Sequence, residues 1–453
     1  MSFPRYPVYK DSGVEWLGEV PGHWEVDRLK RSTLSAKNGI WGDEAQQDEN
    51  DIPCVRVADF DRQGLRVELS DPTIRNVVEK ERVGRVLARG DLLLEKSGGG
   101  ETQPVGCVVL YDDSLPAVCS NFVARVQIAP EMNPSFWRYV HAAIYAVRLN
   151  TRSIKQTSGI QNLDASQYFD ECSGFPPLTE QTQIAAFLDR ETAKIDGLVA
   201  EQRRLMALLK EKRQAVISHA VTQGLNPHAP MKPSGVEWLG EVPAHWRVGK
   251  CGFYLSILSG FAFPSAEFSV DESATKLLRG INVGIARLKW HETVYWQRFP
   301  DDGLDIYEMR AGDLVIGMDR PLINDGMRVA KVEEADLPCL LLQRVASLKT
   351  SRLLNADYLL ALLSSELFVA HFSPETTGVS VPHISPDQIK NFIIPVPPIA
   401  EQETIAGYIC SATAKFDTLI TQTQHAITLL QERRTALISA AVTGRIDVRA
   451  AGG

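Results

Sequence analysis

The sequence predicts an α+β protein: two α/β domains separated by two long antiparallel coiled-coil helices, in a pseudo-twofold arrangement. Three observations predict it. An internal repeat divides the 453 residues into two halves. Each half ends in a long stretch almost free of glycine and proline that carries one apolar stripe. Each half also holds a body of short apolar runs broken by turn residues, the pattern of strands in a mixed sheet.

The repeat opens with SGVEWLGEVPGHW, Ser12 to Trp24, which returns as SGVEWLGEVPAHW, Ser234 to Trp246, differing only at Gly22/Ala244. The offset is 222 positions. PPLTEQTQIAAFLD from Pro176 returns as PPIAEQETIAGYIC from Pro397, and AVISHAVTQG near Ala215 as ALISAAVTGR near Ala436. Between these ends the halves diverge, apart from faint matches such as GDLLL at Gly90 and GDLVI at Gly312. This divides the chain into a first body, residues 1–175, a central helix, 176–230, a second body, 231–396, and a C-terminal helix, 397–453. Two reading heads on one frame require fixed ends and divergent bodies. A plain tandem duplication that drifts fastest at its surface is the alternative.

The helical ends come next. From Thr179 to Gln223 the only glycine is Gly197, and Glu, Gln, Lys, Arg, Ala and Leu dominate, so helix propensity is high. Ile184, Leu188, Ile195, Leu198, Leu205, Leu209 and Val216 form a helical seam, matched by Ile405, Ile409, Phe416, Leu419, Leu430 and Leu437. Each diproline closes an extended segment, Glu180 and Glu401 suit the positive helix start, and Gly224 and Gly444 offer stops. Such a helix spans on the order of 65 Å. Its stripe needs a partner, and the other copy, packed antiparallel, is the obvious one; the polar pair Gln202 and Thr423 is expected to mark the register, and the pair of rods to act as a ruler. A scaffold or dimerisation helix without a measuring role is the alternative.

In the bodies, GDLLLEK, GCVVLYDD, NFVARVQIA, AGDLVIGM and RVAKVEE read as strands. The segments from Asn133 (NPSFWRYVHAAIYAVRLN) and Asn355 (NADYLLALLSSELFVAHF) read as helices with Asn as N-cap. Two loop regions per body suit nucleic acid. KSGGGETQP offers Lys96, Ser97, Gly98, Gly99, Thr102 and Gln103, and KQTSGIQN offers Lys155, Gln156, Gln161 and Asn162. At corresponding places the second body offers Arg320, Asn324 and Arg328, then Ser380 and His383. Amide and guanidinium groups read adenine and guanine edges, although any one of these residues fits an ordinary solvated loop equally well.

Other signals narrow the class. The net charge of −8 argues against coating nucleic acid by bulk electrostatics, though not against a local basic face. Seven scattered cysteines without a CxxC pair argue against zinc or redox chemistry, and no metal site is expected. No apolar run reaches membrane-spanning length and no secretory signal opens the chain, so a cytoplasmic protein without membrane contact is expected. NPSF at Asn133 resembles a methyltransferase turn, but its counterpart reads NADY and no glycine-rich cofactor loop precedes it. Asp91, Glu95 and Lys96 resemble a scrambled nuclease site, yet adjacent strand residues face opposite ways. Phosphate-loop, HExxH and GxSxG motifs are missing, so no catalytic residue is expected.

Ser12–Trp24, Gly90–Leu94, Pro176–Gln181 and Ala220–Gly224, with their second copies, together resemble the specificity subunit of Type I restriction-modification systems. The resemblance covers essentially the whole chain. It implies that each body is a target-recognition domain for one half of a split DNA site and that the helices fix the gap. It implies a non-catalytic subunit whose partners are double-stranded DNA, two adenine methyltransferase subunits and ATP-dependent restriction or translocase subunits. S-adenosylmethionine, ATP and Mg are then expected on those partners, with no cofactor in this chain. It further implies a partner interface in the repeated segments, with Trp16, Trp24, Glu180, Gln181, Trp238, Trp246, Glu401 and Gln402 as candidates. The ending of the first body departs from the family's usual asparagine-rich form, which leaves its final strand open. A coiled-coil scaffold or non-specific nucleic-acid-binding module is the alternative, and a single-chain methylase is disfavoured by the missing cofactor loop.

Overall fold

Uninterrupted helix formers over a dozen turns give helices whose length is limited only by their stop signals. The computed structural model describes residues 3–156, 159–323, 326–376 and 382–449. Four helices organise the chain: α1 (Pro134–Ala146), α2 (Leu178–Gln223), α3 (Ala356–Leu363) and α4 (Ile399–Val442). Both long helices end where expected, with Gly224 and Gly444 in left-handed backbone conformation. By compactness the chain forms two units, Met1–Arg203 with Gln424–Gly453, and Arg204–Thr423. Each unit thus combines one body with a piece of each long helix.

In the first unit a six-stranded sheet runs in the order 33–38, 123–128, 91–95, 108–111, 66–67, 60–61. Its centre is Asp91–Glu95, buried at all five positions. Leu92 and Leu94 pack with Phe136 and Val140 of α1, whereas Leu93 joins Val55, Val109 and Tyr111 on the other side. Burial on both faces explains why GDLLL reads as a continuous apolar run and not an alternating one. The two carboxylates at its ends are neutralised: Asp91 accepts from Arg125 at 2.6 Å and Glu95 from Arg62 at 2.9 Å. Asn133 caps α1, its side chain accepting from Phe136 N at 3.0 Å. The open question of the last strand is resolved: Cys172–Phe175 pairs antiparallel with Glu25–Arg28.

The second unit repeats this plan with a five-stranded sheet ordered 255–259, 345–350, 314–317, 329–331, 285–286. Asn355 caps α3. One expectation is corrected: the helix from Asn355 does not run through to Phe372. It ends at Leu363, and a second helix, Glu366–Thr376, follows. Between them lie Ser364 and Ser365, and the Ser365 hydroxyl donates to Leu362 O at 2.6 Å. Serine in a helix competes for the backbone groups that would continue it.

Within the first unit, Ile195 and Val199 of α2 pack on Ile427, Leu430 and Leu437 of α4. Ile184 and Leu188 meet Ile438, Ala441 and Val442. Numbers rising on α2 meet numbers falling away from the C-terminus on α4 in reverse order, so the segments are antiparallel. Within the second unit, Ile217, Ala220 and Val221 of α2 pack in the same core as Ile405 and Ile409 of α4. The seam differs in detail from the expected one. Leu198 and Leu205 are exposed, while Val199 and Ile217 turn inward. A straight helix turns every 3.6 residues, so a seam drawn at a strict 3.5 drifts off the packed face within two heptads. Thr423 gives its hydroxyl to Leu419 O of its own helix. The polar pins across each helix pair are instead two ion pairs at repeat-equivalent positions, Asp196–Arg434 at 3.0 Å and Asp417–Arg213 at 2.8 Å.

Candidate nucleic-acid interface

At one end of the central strand of each unit, four loops converge on a shared hydrogen-bond frame. In the first unit Lys96 N donates to Phe122 O, Leu163 N to Lys96 O, Gly39 N to Val123 O and Ile40 N to Cys119 O. In the second, Met318 N donates to Arg344 O, Ile384 N to Met318 O, Gly260 N to Val345 O and Phe261 N to Leu341 O. Every bond in the first set has its repeat-equivalent in the second. Glycine is required at the crossing: a Cβ on Gly39 would lie 2.1 Å from Cys119 O, and one on Gly260 would lie 2.2 Å from Leu342 O. A fifth loop beside them carries Arg56 to Asp59, or Arg279 to Asn282, each closed by a reciprocal side-chain and backbone cap.

The frame is common; the side chains on it are not. In the first unit Ser97 and Gly98 pair with Gln161 and Asn162, which pair in turn with Ile154–Gln156, forming a three-stranded sheet. Lys96, Ser97, Gly98, Lys155, Gln156, Gln161 and Asn162, from loops some sixty positions apart, are thereby brought together. Ser97 Oγ donates to Asn162 Oδ1 at 2.6 Å and Lys96 Nζ to Asn38 Oδ1 at 2.5 Å. Lys155 donates to Asp164 at 2.7 Å, which holds that carboxyl below the usual aspartate range. Asn162, Gln156, Gly99 and Gln103 are exposed. Gln161 is buried and accepts from Val105 N at 3.3 Å, so it braces the loop from inside.

In the second unit His383 Nδ1 donates to Asp319 Oδ1 at 2.7 Å, in the place of the Ser97–Asn162 bond. Arg344 also donates to Asp319, through Nη1. Burial pushes the Asp319 carboxyl up, but its bonds from His383 and Arg344 outweigh this and hold it below the ordinary range. Arg320 is exposed, and its backbone N donates to Pro382 O at 2.7 Å. Arg328 donates to Gly280 O at 2.6 Å, and burial together with the nearby Arg320 cation lowers its pKa. Asn324 and Ser380 lie outside the described residues.

Four contributors were missed from sequence. Trp41 and Phe122 are 38% and 48% exposed in the first unit and face a cleft of about 470 Å³ that Arg56 and Asn121 also line. Arg75 stacks over Trp41 at 4.5 Å. Arg344 was missed in the second unit. Carrying the repeat offset of 222 from GDLLL/GDLVI onward to 122/344 would have found Phe122 and Arg344, whereas nothing in the repeat marks Trp41 or Arg75.

The repeated tryptophans, glutamates and glutamines lie at the junction of body and helix. Trp24, Trp246, Glu180, Gln181 and Gln402 are buried. Glu180 accepts from Tyr6 OH and Trp24 Nε1, and Glu401 pairs with His245 at 2.8 Å. Gln181 accepts from Asn133 N and donates to Pro176 O; Gln402 accepts from Asn355 N and donates to Pro397 O. Trp16 donates to Cys172 O and Trp238 stacks on Phe392, both half-buried. Among the described residues no group of three or more His, Cys, Asp or Glu could hold a metal, and no helix is long and apolar enough to cross a membrane.

A family model described as the Type I restriction modification DNA specificity domain matches residues 312–429. The Type I restriction enzyme MjaVIII specificity subunit of Methanocaldococcus jannaschii is 28% identical over 312 residues, covering 67% of this chain and 70% of that protein. The EcoAI specificity subunit of Escherichia coli is 32% identical over 206 residues, 44% of this chain and 33% of that one. A chain solved in work on complex assembly and conformational transition of the type I R-M system superposes with a TM-score of 0.70 at 17% identity, covering 93% of this chain and 98% of that one, a likeness of fold. In its doubled body, its repeated helix ends and its fold, the chain is similar to the specificity subunits of Type I restriction-modification systems.

Proposed function

We propose that the protein is the sequence-reading, non-catalytic subunit of a Type I restriction-modification enzyme, each unit reading one half of a two-part double-stranded target. One observation carries this reading: the same loop frame occurs in both units with different side chains mounted on it. A duplicated surface kept only for folding has no reason to hold its backbone bonds while exchanging Ser97–Asn162 for Asp319–His383 and Phe122 for Arg344. Two heads with one geometry and different donors and acceptors are what an asymmetric target demands. Methyl transfer to adenine and DNA cleavage then fall to partner subunits that bring S-adenosylmethionine, ATP and Mg.

The test is co-expression with an adenine methyltransferase subunit, followed by mapping of methylated adenines. The reading expects methylation in one interrupted motif when this chain is present and none without it. Methyl transfer by this chain alone, or methylation without sequence preference in the complex, contradicts it.

A further inference from the structure

Arg344 and Phe122 occupy one position in two copies of the same frame, each with its carbonyl locked by the N–H of the residue that follows the central strand. Both side chains are exposed, Arg344 at 65% and Phe122 at 48%. Arg344 adopts a left-handed backbone, with φ of 69°. A non-glycine residue is held there only by its surroundings, and such positions gather at functional sites.

The chemistry of Arg344 is specific. Its Nη1 donates to Asp319, and among the described residues Nη2 and Nε have no protein acceptor. Asp319 is fixed from its other oxygen by His383 at 2.7 Å. A guanidinium meant for a phosphate gains nothing from a carboxylate beside it, because the carboxylate cancels the charge that attracts the phosphate. A guanidinium meant for a base edge gains orientation, since the carboxylate holds Nη1 and leaves the parallel Nε and Nη2 donors free. Two parallel donors match the O6 and N7 acceptors that guanine shows in the major groove. Phe122 donates and accepts nothing through its side chain; in the groove its ring suits the thymine methyl group.

We infer that position 122/344 is a base-reading position of each unit, with Arg344 reading a guanine, oriented by Asp319, and Phe122 an apolar base edge. The inference rests on the proposed function and deepens it. Arg344 would touch DNA directly; Asp319 is a positioning residue.

The test uses the full chain in complex with its methyltransferase subunits, with Arg344→Ala, Arg344→Lys and Asp319→Asn compared with the unaltered chain. Binding is measured on duplexes substituted one base pair at a time, at several salt concentrations. Arg344→Ala should lower discrimination at one guanine position on the order of 10- to 100-fold and leave the other half-motif unchanged. Arg344→Lys keeps the charge without the paired donors and should lose the same discrimination while keeping the salt dependence. Asp319→Asn should blunt discrimination at that position while total affinity holds or rises. Uniform weakening on all sequences with a shallower salt slope would make Arg344 a phosphate contact and overturn the inference. A two-part motif untouched by any of the three variants overturns the inference alone. An unaltered complex without a two-part motif overturns both the inference and the reading beneath it. The retained half-motif reports that each variant has folded.

Discussion

Replacing Gln402 by alanine tests how a body is fastened to its helix. Gln402 is fully buried at the start of α4 and spends its amide on the body and on the diproline that joins body to helix. Its Oε1 accepts from Asn355 N at 2.7 Å, and its Nε2 donates to Leu353 O at 2.9 Å and Pro397 O at 2.8 Å. Alanine removes all three bonds and leaves a small cavity in their place. At about 1 kcal/mol for each lost bond, the junction weakens by about 3 kcal/mol, or on the order of 100-fold in its opening equilibrium. Hydrogen exchange at the Asn355 amide reads this directly, because that N–H has Gln402 as its acceptor, and urea unfolding gives the total. Gln402→Glu keeps an acceptor for Asn355 N but sets a buried carboxylate oxygen against the Leu353 and Pro397 carbonyls, so it should cost at least as much as alanine. Gln181, which makes the equivalent bonds to Asn133 and Pro176, should respond likewise in the first unit. Exchange at Asn355 and stability both unchanged within about 0.5 kcal/mol would refute the idea that this residue joins body to helix.

Further outcomes follow from the same geometry. Arg434→Ala should cost about 1–3 kcal/mol in urea unfolding, since Arg434 is 10% exposed and Asp196 would lose its charge partner, whereas Arg213→Ala, opposite a 55% exposed Asp417, should cost less than about 1 kcal/mol; equal losses would contradict the burial argument. His141 is buried against Tyr168 at 2.8 Å, and burial lowers its pKa to about 4. Because the folded state holds it neutral, stability is full above the unfolded value near 6.5 and declines as pH falls from there to about 4, by on the order of 3 kcal/mol; His141→Gln should flatten that part of a pH-dependent unfolding curve. If the helices measure the gap in the target, inserting matched seven-residue segments into α2 and α4 should lengthen the unread spacer in the methylated motif, and an unchanged spacer would remove the ruler.

Much of this was legible because repetition and periodicity are properties of sequence. The entry segments, GDLLL, the Asn133 and Asn355 caps and both helix stops fell where the pattern placed them. What escaped notice depends on contacts across the fold. The inward turn of Val199 in place of Leu198 follows from the true helical pitch, which a heptad template blurs. The break at Ser364–Ser365 comes from local hydrogen bonding within an otherwise helical composition. The loops at Lys96 and Lys155 could be named separately, but only the pairing of Ser97 with Asn162 makes them one surface. Trp41, Phe122 and Arg344 sit in ordinary-looking turns, and their exposure appears only once Gly39 and Gly260 have brought those turns to the strand end.

The account rests on two independent heads, and exchange of one head tests that most directly. Residues 25–175 are replaced by the corresponding body of a Type I specificity subunit, and methylated adenines are mapped genome-wide in cells carrying the chimera with an adenine methyltransferase subunit. The account predicts a motif in which one half is new and the other half is the original. A motif that keeps both original halves, or loses both, would contradict it.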